Sequence, residues 1–190
     1  MSIFDKIKKC ESCGLCENQK PLLDSCRKCD VMWVGLSAKM VENVEEASPL
    51  DSNTQTGKVI SEIEDMVDTL HYYKTNVVKC APLNDLGKLR YPNRAEIDLC
   101  IGNLKQEIDC LNPKIVFLLG GDARSAVERK YKIRFEKKRE LFQYKGVSVG
   151  SVTFYAVEHP SYVSIYKRKR IDEYKQAIAA AIEEVMMLNR

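Results

Sequence analysis

The sequence lacks the features that mark membrane-spanning, fibrous or disordered proteins. It contains no apolar run of about eighteen residues, no internal repeat and no low-complexity tract. Its 30 basic and 27 acidic side chains leave a net charge of only +3, so the total neither requires nor excludes a polyanionic partner. With 190 residues, 45% of them apolar, the chain has enough material for one core. We therefore expect a single globular domain that spans residues 1–190.

The cysteine content is too low for a small disulfide-rich scaffold, with eight cysteines in 190 residues. The first residues also lack the hydrophobic segment of a signal peptide, so we expect a reducing compartment, the cytoplasm. There, cysteines separated by two residues are typical of metal or cluster ligands. Residues 1–30 are too poor in apolar side chains for a core of their own and are predicted to pack on the rest as a lobe. This lobe contains Cys10, Cys13, Cys16, Cys26 and Cys29.

Apolar runs alternate with helical periodicities along the rest of the chain. Four short runs predict buried strands, at residues 31–36, 75–79, 114–119 and 152–157. Stretches with apolar residues every three or four positions predict helices at residues 57–70, 97–111, 122–127 and 171–188. Asp122 is expected to cap the third of these helices. The alternation predicts an α/β fold with a parallel sheet and helices on both faces.

Ligands of an open parallel sheet bind beyond the carboxyl ends of its strands, where loops and helix N-termini converge. This rule selects four segments of the chain. They are residues 37–51, residues 80–91, the glycines at 120 and 121, and residues 158–162. His159, the second of only two histidines, lies in the last segment.

Two further cysteines lie within the body of the fold. Cys80 ends the second strand, and Cys100 lies beside the apolar stripe of the following helix. With one CxxC pair from the lobe they could form a four-thiolate site for an iron–sulfur cluster, because soft thiolates bind iron. The alternative is a zinc site made by the CxxC pairs at 13–16 and 26–29 alone. The sequence therefore predicts a metal more clearly than it predicts which metal.

Six segments resemble the uracil-DNA glycosylase superfamily, above all its iron–sulfur family 4. They follow the family's order along nearly the whole chain: CESCGL at 10–15, VMWVG at 31–35, TNVVKC at 75–80, PNRAEIDLC at 92–100, LNPKIVFLLGGDA at 111–123 and HPSY at 159–162. The resemblance implies a three-layer αβα sandwich with a central four-stranded parallel sheet.

The resemblance also implies a [4Fe–4S] cluster whose ligands fall on Cys10, Cys13, Cys80 and Cys100. Cys10 and Cys13 are preferred over Cys13 and Cys16 because the family's pattern is CxxCxL, which Gly14 and Leu15 complete. The CxxC pair at 26–29 is not part of that pattern and could hold an additional zinc ion.

The function implied by the resemblance is that of a monofunctional DNA glycosylase, monomeric, with DNA as its partner. Such an enzyme hydrolyses the bond between C1′ and the base and leaves an abasic site. It flips the nucleotide from the stack, stabilises negative charge on the departing base and positions a water. By the family's pattern, His159 faces the base oxygen and the Asn76 amide reads the pyrimidine edge.

Two positions in the expected pocket depart from family 4. Where that family reads GEAPG, with its acid near the attacking water, this chain reads GLSAK at 35–39, closer to the GLAPA form of family 5, whose members accept a wider range of bases. Leu50 follows Pro49 where the family has an aromatic platform. The residues expected to contact the flipped base are Gly35, Leu36, Ser37, Ala38 and Leu50. The acid missing at position 36 could be replaced by Glu42, Glu45, Glu46 or Asp51.

Contacts with the DNA duplex are expected after the HPSY motif. A wedge formed by Ser161, Tyr162 and Val163 would fill the space left by the flipped base. Four adjacent cations would contact phosphates: Lys167, Arg168, Lys169 and Arg170. A second basic stretch at 129–139 could flank the same groove or be a solvated loop. Two alternatives stay open, a catalytically silent DNA-binding relative and a zinc-ribbon α/β binding module.

Overall fold

The computed structural model describes residues 1–136 and 140–188. Its strands are β1 (Val31–Ser37), β2 (Tyr72–Val78), β3 (Ile115–Leu119), β4 (Val147–Val149) and β5 (Val152–Val157). Its helices are α1 (Ile3–Lys8), α2 (Gln55–Met66), α3 (Arg94–Leu111), α4 (Gly121–Tyr131), α5 (Pro160–Tyr166) and α6 (Ile171–Leu188). Short 3₁₀ turns occupy Leu15–Glu17 and Arg168–Arg170.

The central sheet has the order β2-β1-β3-β5-β4. The four predicted strands pair in parallel, which confirms the α/β class. The prediction of only four strands was wrong, because β4 adds an antiparallel edge to β5. This strand has three residues, too few for an apolar run to reveal it, and Gly150 with φ 61° turns the chain back into β5.

The two faces of the sheet bury different side chains of the same strands. On β1, Met32 and Val34 face the layer of α1, α3 and α4, whereas Val31 and Trp33 face the layer of α2, α5 and α6. All four are fully buried, as expected for a parallel strand covered on both faces. These layers form the αβα sandwich.

The N-terminal lobe packs on the first of these layers. Phe4 and Ile7 of α1 are buried in the same core cluster as Leu104 of α3. Leu15 and Leu23 join that cluster from the chain between α1 and β1. The lobe therefore buries its few apolar side chains against α3, and this contact brings its cysteines toward that helix.

The start of α4 differs from the sequence prediction. Its N-cap is Gly120, with φ 92°, and Asp122 lies inside the first turn instead of capping it. A Cβ on Gly120 would lie 3.3 Å from the Cβ of His159, so a side chain here would press on that histidine. This glycine lets the ends of β3 and β5 approach each other.

The helices among residues 1–136 and 140–188 are all too short or too polar to cross a lipid bilayer.

Candidate active site and thiol cluster

A cavity of about 780 Å³ opens at the carboxyl ends of the parallel strands. Its wall includes residues from all four segments that the strand-end rule selected: residues 37–41 and 48–51, residues 89–91, the glycines at 120 and 121, and His159 with Ser161 and Tyr162. Gly35 and Leu36 of β1 and Asn76 of β2 also line it. The volume is in the range of small-ligand pockets.

His159 lies where β5 ends and caps α5, which begins at Pro160. Its Nδ1 accepts a hydrogen bond from the Ser161 main-chain N–H at 3.3 Å and lies 2.8 Å from Ser161 Oγ. Because a main-chain N–H can only donate, the proton of the neutral ring lies on Nε2. Burial, and then the positive charge of Lys39, lower the pKa of His159 below its usual value. The ring is therefore a neutral donor at physiological pH.

Asn76 lies on β2, opposite Gly35 of β1 in the parallel register, and only 3% of it is exposed. A Cβ on Gly35 would lie 2.4 Å from Asn76 Oδ1 and 3.2 Å from Cδ2 of Leu50. Glycine at 35 therefore leaves room for the amide and for Leu50. Leu50 itself holds φ 53°, an uncommon conformation for a residue with a branched side chain. Both Asn76 and Leu50 line the cavity.

The mouth of the cavity is formed in part by α5. Ser161 and Tyr162 line the cavity, in the place expected for a wedge. Val163 was a wrong choice, because it is fully buried in the core beneath α5. Once the chain enters a helix at Pro160, residues three and four positions beyond Tyr162 share its face. Ile165 and Tyr166 are accordingly exposed at the mouth, and sequence reasoning missed them because it read HPSY as a loop.

Of the four predicted phosphate-binding cations, Lys167 is the C-cap of α5 and the other three form the 3₁₀ turn that follows it. Arg168, Lys169 and Arg170 are exposed, and Arg170 in addition makes two hydrogen bonds to Glu173 and lies over the Phe142 ring. None of the four lines the described part of the cavity. In the second basic stretch, residues 137–139 lie outside the described residues.

Of the four acids considered as replacements at position 36, Asp51 lines the cavity. Its Oδ1 accepts the Asn53 main-chain N–H at 2.7 Å, and its carbonyl accepts the N–H and hydroxyl of Thr54, the N-cap of α2. Glu45 instead forms an ion pair with Lys8. Asp122 of α4 also lines the cavity. The sequence analysis assigned it a capping role only and did not predict this position.

Thiols from the lobe and from the body of the fold lie together. The Nδ2 atom of Asn103 is 3.5 Å from Cys10 Sγ and 3.9 Å from Cys100 Sγ. Burial and the neighbouring thiols, first Cys100 and then Cys13, raise the pKa of Cys80 to about 12. Cys16 and Cys10 also raise the pKa of Cys80. Either lobe pair, Cys10 with Cys13 or Cys13 with Cys16, could therefore join Cys80 and Cys100.

The residues present fit an iron–sulfur cluster at this place. The main-chain N–H of Lys79 donates to Cys100 Sγ at 3.4 Å and the Asn103 amide donates nearby, which is how proteins stabilise cluster thiolates. Four cysteines of a [4Fe–4S] cluster bind four different irons, so they need not converge as the ligands of one ion do. No three Cys, His, Asp or Glu side chains within residues 1–136 and 140–188 form a site for a single metal ion.

The second CxxC pair lies apart from this group. Burial, and then the charges of Cys26 and Asp30, raise the pKa of Cys29. Cys26 Sγ donates to the Lys28 carbonyl at 3.0 Å, and Asp24 accepts main-chain N–H groups. Within residues 1–136 and 140–188 the two lobe pairs do not form a four-cysteine site for one zinc ion. An additional zinc ion at Cys26 and Cys29 stays a prediction.

A buried ion pair separates the thiols from the cavity. Lys79 Nζ binds the Glu107 carboxylate, and both side chains are 0% exposed. Lys79 also donates to Thr75 Oγ1 at 2.7 Å and to the Asn76 carbonyl at 2.6 Å. Tyr73 donates its hydroxyl to Glu107 at 2.7 Å. The network joins the end of β2, which carries Asn76 and leads into Cys80, to α3.

Three comparisons with known proteins agree on this fold. A profile of the Uracil DNA glycosylase superfamily matches residues 21–183. A type-4 uracil-DNA glycosylase of Pyrobaculum aerophilum is 30% identical over 122 residues, which cover 62% of this chain and 59% of that protein. The match thus spans less than two thirds of the relative's length. The crystal structure of wild-type SMUG2 from Pedobacter heparinus superposes with a TM-score of 0.54 at 14% identity, over 83% of this chain and 76% of that one.

Proposed function

The chain belongs to the uracil DNA glycosylase superfamily, and on that premise we propose that it is a DNA-repair hydrolase. Its reaction would be hydrolysis of the N-glycosidic bond of a uracil, or of a related modified or deaminated base, flipped out of DNA. One observation carries this proposal: Asn76 of β2 and His159, which follows β5, line the same cavity. The type-4 relative supports the same reaction.

The base would bind with its hydrogen-bonding edge against Asn76. The amide offers both a donor and an acceptor, which suits the alternating groups of a pyrimidine edge. Gly35 leaves the approach to the amide open, and Leu50 supplies an aliphatic surface where a ring would stack more strongly. Flipping the nucleotide costs roughly a few kcal/mol, which contacts in the cavity must offset. A cavity with a smaller stacking surface favours bases that are already weakly paired.

The leaving base would be stabilised by His159. As C1′ acquires oxocarbenium character, negative charge develops on the base oxygen. A neutral imidazole that holds its proton on Nε2 can donate a hydrogen bond to that oxygen, since Nδ1 is occupied by Ser161. Such a preorganised donor is worth more in the transition state than in the ground state.

The attacking water would be held by Asp51. Its side chain is only partly exposed, and the Asn53 N–H and the turn into α2 fix its position. A carboxylate at this place would orient the water and attract the positive charge that develops on the sugar. Asp51→Asn is expected to slow cleavage, and Asp122→Asn is the matched control, because Asp122 is the more exposed carboxylate of the wall.

The DNA strand would lie across α5. Tyr162 and Tyr166 have their rings 5.2 Å apart at the mouth, where one can take the place of the flipped base. Arg168 and Lys169, on the next turn, would contact phosphates.

We further propose that Cys10, Cys13, Cys80 and Cys100 hold a [4Fe–4S] cluster. When bound it would supply covalent cross-links between the lobe, β2 and α3, in place of a larger core. A cluster and eight cysteines without a disulfide suit the cytoplasm, which we propose as the compartment. We also propose that the protein acts as a single domain and as a monomer.

The test uses labelled DNA that carries one candidate base: uracil, hypoxanthine, xanthine, a mismatched thymine or 5-hydroxymethyluracil. After incubation, alkali cleaves any abasic site and the fragments are counted. We expect cleavage of at least one substrate that is lost in His159→Ala and retained in His71→Ala, the control at the chain's other histidine, which pairs with Asp30. Binding without cleavage of any of these DNAs would identify a silent relative and overturn the proposal.

A further inference from the structure

Lys39 places a positive charge in the wall of the cavity. It is the last residue of the 35–39 segment, which begins within β1 and continues beyond its end, and it lines the cavity together with Asn76 and His159. Its charge acts on the imidazole, where it adds to burial in lowering the pKa of His159. The ammonium is thus close enough to the catalytic histidine to affect its protonation.

The main chain at Lys39 is held on both sides. The Ala38 N–H donates to the Val78 carbonyl at 3.0 Å. The buried Gln19 donates from Nε2 to the Lys39 carbonyl at 3.1 Å and accepts the Val41 N–H at 2.8 Å. These bonds fix the segment to the end of β2 and to the lobe, so the root of the side chain has a defined place.

The charge of Lys39 is not neutralised by a neighbour. Among the described residues, two Lys or Arg side chains line the cavity, Lys39 and Arg90. Arg90 is occupied, because its guanidinium binds both carboxylate oxygens of Glu96 at 2.8 and 2.5 Å. No carboxylate within residues 1–136 and 140–188 forms an ion pair with Lys39. Leu36, at the other side of the segment, adds no negative charge.

We propose that Lys39 is a further catalytic residue, whose ammonium contacts the departing base and stabilises the negative charge on it alongside His159. This inference rests on the proposed glycosylase activity. In the step concerned, the bond between C1′ and the base nitrogen breaks and its electron pair goes to the base. Water forms the new bond to C1′ and gives its proton to solvent, and the base anion later takes a proton from water. Lys39 stays protonated throughout and forms no covalent bond.

The two groups would divide the task. The neutral imidazole of His159 supplies one directed hydrogen bond, whereas the ammonium of Lys39 supplies a full positive charge. The same charge also disfavours protonation of the imidazole. Because Lys39 is exposed, water replaces part of its effect when it is removed. We therefore expect its loss to cost about tenfold to a hundredfold in the rate of cleavage, less than a buried oxyanion donor costs.

The decisive experiment varies the acidity of the leaving base. Single-turnover cleavage is measured for uracil and for 5-fluorouracil, a more acidic leaving group, with Lys39→Met, Lys39→Arg and the wild-type protein. For uracil, Lys39→Met should be about tenfold to a hundredfold slower. For 5-fluorouracil the loss of cleavage rate in Lys39→Met should be several-fold smaller. The anion of this more acidic base is more stable by itself, so its departure depends less on the charge of Lys39. Lys39→Arg should keep most of both rates.

An equal loss for both bases, or no loss, would overturn the inference, since a purely structural role slows both substrates alike. Lys58→Met on α2 is the matched control, because Lys58 is exposed and lies away from the cavity, and it should match the wild type. The proposed function fails separately: a wild-type protein that cleaves none of uracil, 5-fluorouracil, hypoxanthine, xanthine, mismatched thymine and 5-hydroxymethyluracil refutes the glycosylase itself. An active wild type whose dependence on the leaving base is unchanged in Lys39→Met refutes the role of Lys39 alone.

Discussion

The buried pair of Lys79 and Glu107 allows a stability prediction worked from the structure. Lys79→Met keeps the length and most of the volume of the side chain and removes its charge. It leaves the Glu107 carboxylate with the Tyr73 hydroxyl at 2.7 Å and Thr75 Oγ1 at 3.2 Å but without a cation, at a place with no access to water. The carbonyl of Asn76 loses its side-chain donor at the same time.

The expected cost is large compared with the stability of an ordinary domain. Removal of one partner of a buried ion pair costs about 3–5 kcal/mol, because the remaining charge is uncompensated. Domains of this size are stable by about 5–15 kcal/mol, so Lys79→Met should lose between about a fifth and all of the total. Glu107→Gln should cost a similar amount, since it leaves the ammonium with neutral acceptors only.

The double variant separates charge from packing. In Lys79→Met with Glu107→Gln, no buried charge is left, and the glutamine oxygen can still accept from Tyr73. If the two effects were independent, the double variant would lose about 6–10 kcal/mol. We expect it to lose no more than either single variant, which is a coupling of at least about 3 kcal/mol.

The assay is urea unfolding of the as-purified proteins, with the iron content of each sample measured in parallel. Lys79→Met keeps the main-chain N–H that donates to Cys100 Sγ, so iron should be retained while the protein is folded. A cost below about 1 kcal/mol for Lys79→Met would show that the pair contributes little. Additive losses in the double variant would contradict the coupling on which the reasoning depends.

Three further predictions test the site. Burial, and then a nearby positive charge, lower the pKa of His159 below 6.5, so its active neutral form persists at mildly acidic pH. In a pH–rate profile, the cleavage rate should therefore stay level down to about pH 6.5 and fall only below it. Gly35→Ala should cost about 1–3 kcal/mol and most of the activity, because its Cβ would lie 2.4 Å from the base-reading amide; Gly102→Ala, with no atom within 4 Å of the new Cβ, should keep full activity in the same assay. Cys100→Ala should lose iron and visible absorption, whereas Cys110→Ala, an exposed position on the same helix, should keep both, and a fully loaded Cys100→Ala would exclude that ligand.

The sequence by itself determined the local structure and the order of the elements. The runs at 31–36 and 152–157 are buried on both faces and strongly β-branched or aromatic, so they formed strands almost at the predicted bounds. The stretch at 171–188 repeats its apolar side chains with helical spacing and formed α6 at the predicted bounds. The strand-end rule also predicted where the cavity lies, because parallel strands deliver their following loops to one edge.

Tertiary structure decided which residues meet. Val163 could not be recognised as buried until α5 was known to begin at Pro160. In a helix the side chain of Val163 points into the core, whereas the sequence alone does not fix its direction in a loop. The amide of Asn76 reaches the cavity through its register opposite Gly35, and register is a property of two strands together. Four acids were considered as replacements at position 36, and the path of the loop before α2 places only Asp51 of these four in the cavity wall. Local patterns follow from steric and hydrophobic preferences over a few residues, whereas these convergences depend on packing between segments far apart in the chain.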